Sequence, residues 1–152
     1  MVDVILCPTR GGTASYPNQD RAIEIAKERG SELLFLYITN VQFLDHTPLA
    51  KTVDLEGELD EMGEFMLTMA VERAEKEGVN ASMEVRRGLF RDVISETISE
   101  FGIACVVLGS SSGGTGVITE EYIHDLMETV STETGVEFIV VDQGIVVRIY
   151  KS

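Results

Sequence analysis

The stretch Ala104-Cys105-Val106-Val107-Leu108, followed by Gly109-Ser110-Ser111-Ser112-Gly113-Gly114-Thr115-Gly116, decides the fold class of this chain. Its first part is apolar at every position, without alternation. A strand of that kind has both faces covered, as in a parallel sheet held between two layers of helices. It is the most hydrophobic strand-like run in the sequence and is predicted to be central. Its second part is rich in glycine and serine and leads into a helix over about Thr119 to Thr132. Ile123, Leu126, Met127 and Val130 form the apolar face of that helix.

Working outward, the same strand-then-helix order repeats. A first strand, Asp3 to Cys7, ends at Pro8, and a loop follows to Pro17. A helix is predicted from Asn18, placed to cap it, to Arg29, with Gly30 closing it. Ala22, Ile23, Ile25 and Ala26 form its buried stripe. A second strand spans Leu33 to Ile38, and a long loop runs on to about Asp54. A long helix is then expected over Leu55 to Glu77, with a seam of Leu59, Met62, Met66, Met69 and Arg73. A methionine stripe can be a partner surface, but core packing is the expectation adopted for this one. Ala81 to Arg86 alternates like a half-exposed edge strand. Arg91 to Phe101 is a helix with Ile94, Ile98 and Phe101 inward, closed by Gly102. Phe138 to Val141 is the last parallel strand. Repeated strand–helix order implies a parallel sheet with right-handed crossovers, an α/β class within one domain over residues 1–152.

Beyond it, Asp142-Gln143-Gly144 reads as a turn into a further apolar strand, Ile145 to Tyr150. This strand either pairs antiparallel within the chain or crosses to another subunit. In both cases a long apolar edge needs covering, so a homodimer through the C-terminal strands is expected.

With 26 acidic and 12 basic side chains, the net charge is -14. Such a surface repels phosphate backbones and anionic membranes, so nucleic-acid and membrane partners are disfavoured. No apolar run is long enough for a membrane span, and Met1-Val2-Asp3 does not open a secretory signal. Cys7 and Cys105 sit in apolar strand-like runs, which indicates reduced thiols in a cytoplasmic protein.

Open parallel sheets bind ligands beyond the carboxyl ends of their strands. Two loops there have suitable composition: Pro8-Thr9-Arg10-Gly11-Gly12-Thr13 and Gly109 to Gly116. Glycine lets backbone N–H groups cradle an anion, hydroxyls add donors, and Arg10 adds a positive charge. Flexible turns would have the same composition, so both readings stay open. Neither loop carries a P-loop lysine or a clean dinucleotide fingerprint. Glu120, His124 and Glu128 share one helix face, and a solvated polar face explains them better than a metal does. No nucleophile has an evident base.

Several segments resemble the universal stress protein family. Val4-Ile5-Leu6-Cys7-Pro8, the helix segment Asp20 to Lys27 and the strand Glu32 to Tyr37 resemble the family's opening. Arg87 to Ile94 resembles its third strand's exit into the third helix. Cys105 to Ser110 matches the fourth strand and the start of the glycine loop, and Phe138 to Val141 fits the closing strand. The resemblance runs over residues 1–142 in element order. It implies a doubly wound, five-stranded parallel sheet of order 3-2-1-4-5, adenine-nucleotide α-hydrolase-like, with residues 145–150 as an extra C-terminal strand. It also implies dimers formed through the last strand.

One branch of that family binds ATP or AMP through G-x2-G-x9-G-(S/T) and an Asp after the first strand. Gly109 matches the first glycine. Ser112 stands at the second, with Gly113 one step late, and alignment of the last helix, rather than the motif's spacing, puts His124 and Asp125 at the third glycine and its hydroxyl partner. Arg10 stands where the Asp is expected. Asp125 beside a triphosphate would repel it unless a divalent cation intervened, so magnesium enters only with a triphosphate. The candidate ligand-binding residues are Pro8, Thr9, Arg10 and Gly11, with Gly109, Ser110, Ser111, Ser112, Gly113 and Gly114. The expected function is a non-catalytic stress-response or regulatory domain that dimerises, contacts a protein partner and takes an adenine nucleotide or another small anion. A slow nucleotide hydrolase and a purely structural dimer with a vestigial cleft are the alternatives.

Overall fold

A computed structural model describes residues 2–10, 13–39, 53–109 and 120–151, with the backbone alone at 53–60 and 120. Strands β1 (Val4–Pro8), β2 (Glu32–Thr39), β3 (Ala81–Arg87), β4 (Ile103–Gly109), β5 (Glu137–Asp142) and β6 (Ile145–Tyr150) form one sheet. Between them lie helices α1 (Tyr16–Arg29), α2 (Val53–Lys76), α3 (Phe90–Phe101) and α4 (Glu120–Thr134). The sheet order is β3-β2-β1-β4-β5-β6. Every pair is parallel except β5 with β6. This is the expected α/β sheet of order 3-2-1-4-5 with an antiparallel strand added.

The unbroken apolar runs are explained by two cores, one on each face. Ile5, Cys7, Phe35, Cys105 and Val107 face α1 and α2 residues such as Ile23, Ala26, Leu67 and Ala70. Leu6, Leu36, Val106 and Leu108 face the other way, against Ile94, Ile98, Leu126 and Met127 of α3 and α4. β4 lies between β1 and β5, so its central placement holds. β3 is an edge strand, as its alternation indicated. Both cysteines are free and buried. Burial pushes both thiols up to about 12. Ile5, rather than Cys7, is the β1 residue that pairs with Cys105.

The structure corrects three expectations. α1 begins earlier, at Tyr16, after a 3-10 turn over Thr13–Ser15, so Asn18 lies inside the helix and does not cap it. Phe101 is exposed at the end of α3, where the Arg86 guanidinium covers its ring at 5.4 Å. The seam of α2 is the largest change. Met62 and Met69 face solvent and Met66 is half-buried, whereas Gly63, Leu67, Ala70 and Ala74 face the sheet. Leu59 lies where side chains are outside the described residues. The cause is steric. A Cβ on Gly63 would meet Tyr37 Cδ1 at 2.6 Å, so α2 runs close to β2 and only small residues fit there.

β6 pairs within the chain. The two turn residues, Gln143 (φ 50°) and Gly144 (φ 83°), are both left-handed, which matches a tight hairpin turn of the primed type. Val140 pairs with Arg148 and Val141 with Val146, which leaves Val147 as the extra residue of a bulge. The turn is fastened to α1. The Gly144 N–H donates to Asn18 Oδ1 at 2.9 Å, and Arg21 Nε donates to the Gly144 carbonyl at 2.7 Å. Asn18→Ala is therefore expected to lower stability by about 1 kcal/mol. The Gly144 amide should also exchange faster with solvent. Urea unfolding and amide exchange measure the two effects, and unchanged Gly144 exchange would contradict the clamp.

At the far end of the sheet, Arg29 NH1 donates to Glu137 Oε1 at 2.8 Å. That hydrogen bond holds the Glu137 carboxyl below its ordinary value of 4.5. A depressed carboxylate adds stability that is complete above 4.5 and is lost as pH falls through its lower folded value. The pair is partly exposed, so Glu137→Gln should cost about 0.5 kcal/mol at neutral pH. The difference between the two proteins should shrink as pH falls below 4.5 and vanish once the carboxyl is protonated in the folded state as well. Denaturation of both across that range is the check.

Candidate functional site

The strand order reverses between β1 and β4, so the crevice of this sheet lies beyond the carboxyl ends of those two strands. Four features meet there. β1 ends at Pro8 and continues into Thr9, whose N–H donates to the Leu36 carbonyl at 2.8 Å. β4 ends at Gly109, paired with Val141 of β5. The first turn of α1 lies over Gly109, and the Gly144 turn closes the side. Asn18 joins the last three. Its Nδ2 lies 2.9 Å from where a Gly109 Cβ would stand, and its Oδ1 accepts from Gly144. Glycine at 109 thus lets the Asn18 amide approach the end of β4.

A polar network fixes the β1 side. Gln19 is 1% exposed, and both ends of its amide are bonded. Its Nε2 donates to Thr9 Oγ1 at 2.8 Å, and its Oε1 accepts from Arg73 NH1 at 2.6 Å. Arg73 also pairs with Asp20, donates to the Tyr16 carbonyl at 3.4 Å and stacks 4.2 Å above the Tyr16 ring. A buried amide satisfied at both ends is rigid, because breaking either bond strands a polar group away from water. The network therefore fixes the start of α1 against β1 and α2.

Of the expected site residues, the structure places Pro8, Thr9, Arg10 and Gly109. Pro8 and Thr9 border the crevice, and Arg10 is exposed just beyond them. Gly11, Ser110, Ser111, Ser112, Gly113 and Gly114 lie outside the described residues, as do Thr115 and Gly116. The Ser15 side chain makes no capping bond, and the first turn of α1 carries no acidic residue. The partial positive charge of that terminus favours an anion.

Sequence reasoning missed Asn18, Gln19 and Arg73. The signals were present. Gln19 is a polar residue in register with the apolar stripe of Ala22, Ile23 and Ala26, and Arg73 is the polar end of the methionine seam. A polar group on a buried stripe marks a satisfied network. His124 has a plain role as well. Its Nδ1 lies 3.0 Å from Arg148 NH2, and its ring meets Tyr150 edge-on, which ties α4 to β6. Among the described residues, no three His, Cys, Asp or Glu side chains form a group able to hold a metal. No helix among them is long and apolar enough to cross a membrane.

Solved structures share this fold. The universal stress protein UspA of Lactobacillus plantarum is similar at TM-score 0.71 and 18% identity, covering 91% of this chain and 97% of its own. A universal stress protein in complex with cAMP is similar at TM-score 0.65 and 17% identity, covering 93% of this chain and 98% of its own. Another, from Archaeoglobus fulgidus and in complex with dAMP, gives 0.62 and 15%, covering 92% of this chain and 97% of its own. No curated protein sequence matches the chain. The sequence description of the universal stress protein family matches residues 1–119, which is most of the chain, and the chain belongs to that family.

Proposed function

We propose that this chain is a non-catalytic stress-response or regulatory domain that takes an adenine nucleotide or another small anion in the crevice beyond β1 and β4. The observation that carries the reading is the meeting of Gly109, the uncapped first turn of α1 and the end of β1 at the point where strand order reverses. Two universal stress proteins of the same fold were solved with cAMP and with dAMP, which supports a nucleotide as the ligand. A second reading has its own support. The Asn18 amide already occupies the space against Gly109. On that reading the cleft is vestigial, and the domain acts through protein contacts alone.

We also propose a homodimer through β6. Among the described residues this strand has no neighbour on its outer edge, and Ile145 (64% exposed), Val147 and Ile149 (61% exposed) carry apolar surface into solvent. An apolar edge of this kind is a template for another strand, and a second β6 across a two-fold axis completes it.

Titration calorimetry with AMP and ATP, with and without magnesium, tests the ligand. Micromolar binding that is lost in Gly109→Val is expected, because the new side chain meets Asn18. No heat at millimolar nucleotide would sink the nucleotide reading and favour the vestigial cleft. Sedimentation equilibrium tests the assembly. The wild type should run at twice its 16.7 kDa and Ile149→Lys at 16.7 kDa. A monomeric wild type would end the dimer proposal.

A further inference from the structure

α2 is apolar on two sides. Gly63, Leu67, Ala70 and Ala74 face the sheet. At about 100° per residue, Phe65 and Met69 stand nearly opposite Leu67. Met62, Phe65 and Met69 therefore form a second stripe that points into solvent, at 47%, 68% and 39% exposure. Three of the four inward residues are glycine or alanine and the large Met62, Phe65 and Met69 point outward, so close packing on β2 accounts for the inner face and leaves the outer one unaccounted for. Isolated exposed apolar side chains need no explanation, but a continuous stripe of large ones marks an interaction surface.

The surroundings of the stripe say what fits it. Glu61, Glu64, Glu72 and Glu75, all exposed, run along one flank. The other flank carries Arg73, whose charge is already engaged by Asp20 and whose guanidinium is turned to α1. The surface is thus a methionine- and phenylalanine-lined stripe beside a row of carboxylates, on a chain of net charge -14. Flexible methionine side chains adapt to an apolar partner face, and a straight helical stripe matches another helix.

We propose that the outer face of α2 docks an amphipathic helix of a partner protein, with apolar residues against Met62, Phe65 and Met69 and lysines or arginines along the Glu61–Glu75 flank. A second copy of this chain fits less well, because its own outer face is acidic and would bring like charges together. Met62, Phe65 and Met69 belong neither to the residues that border the crevice nor to β6.

The test uses the full chain with methionine methyl groups labelled for NMR and a synthetic leucine–lysine peptide patterned as an amphipathic helix. The control peptide has the same composition in scrambled order, which keeps the charge and removes the apolar face. Expected are shifts of the Met62, Met66 and Met69 methyls with the core Met127 unmoved, and weaker binding of the scrambled peptide. Phe65→Gln, at an exposed position, should keep the fold and weaken binding about tenfold. Glu61→Gln with Glu72→Gln should flatten the salt dependence. Equal binding of both peptides, or unchanged affinity in Phe65→Gln, would overturn the proposal. A fall in solution mass caused by Phe65→Gln would overturn it too, by showing that the stripe is covered by another copy.

Discussion

Burial of both faces of β1 and β4 is the constraint on which the other elements depend. Ile5 and Cys7 point to one side of β1 and Leu6 to the other, and Cys105 and Val106 divide in the same way on β4. Neither strand can present a face to water, so helices must cover both sides. Parallel neighbours then require crossovers that carry those helices. The crevice follows from the same arrangement. It lies where the chain, having built β2 and β3 to one side of β1, returns to place β4 on the other.

The two edges of the sheet are finished differently. β3 carries charge. Arg86 pairs with Glu100 at 2.7 Å and covers Phe101, so this edge is tied to α3 and made polar. β6 carries apolar side chains on both faces and a bulge at Val147. Charged residues discourage edge pairing, whereas a bare apolar strand invites it. Among the described residues the sheet therefore has one protected edge and one open one.

Much of this was legible in the sequence because strand burial is a matter of local composition. Continuous runs such as Leu33 to Ile38 admit one interpretation, and turn chemistry marks Gln143-Gly144. α2 was misread because periodicity reveals stripes without saying which one faces inward. Two stripes at helical spacing compete there, and hydrophobicity favours Leu59, Met62, Met66 and Met69. What decides the matter is the distance between α2 and β2, set by the Tyr37 ring against Gly63, and no local pattern encodes that distance. Asn18 was misread for a related reason. Its residue type suits a cap, but its partner, Gly144, is remote in sequence. The strand ends that the sequence singled out meet at the switch point between β1 and β4, while the glycine loop from Ser110 onward falls outside the described residues.

The Asn18–Gly144 bond also orders events in time. It joins the first helix of the chain to its last turn, across a separation of 126 residues. β1 is made before β4, sits at the middle of the sheet and has no partner on one side until β4 has been made. Contacts of such long range close late, because loop entropy must be overcome before they form. The amino-terminal half must therefore keep an apolar strand edge unpaired through much of synthesis. The C-terminal hairpin is the piece that locks the domain shut, and truncating it would remove that lock along with a strand.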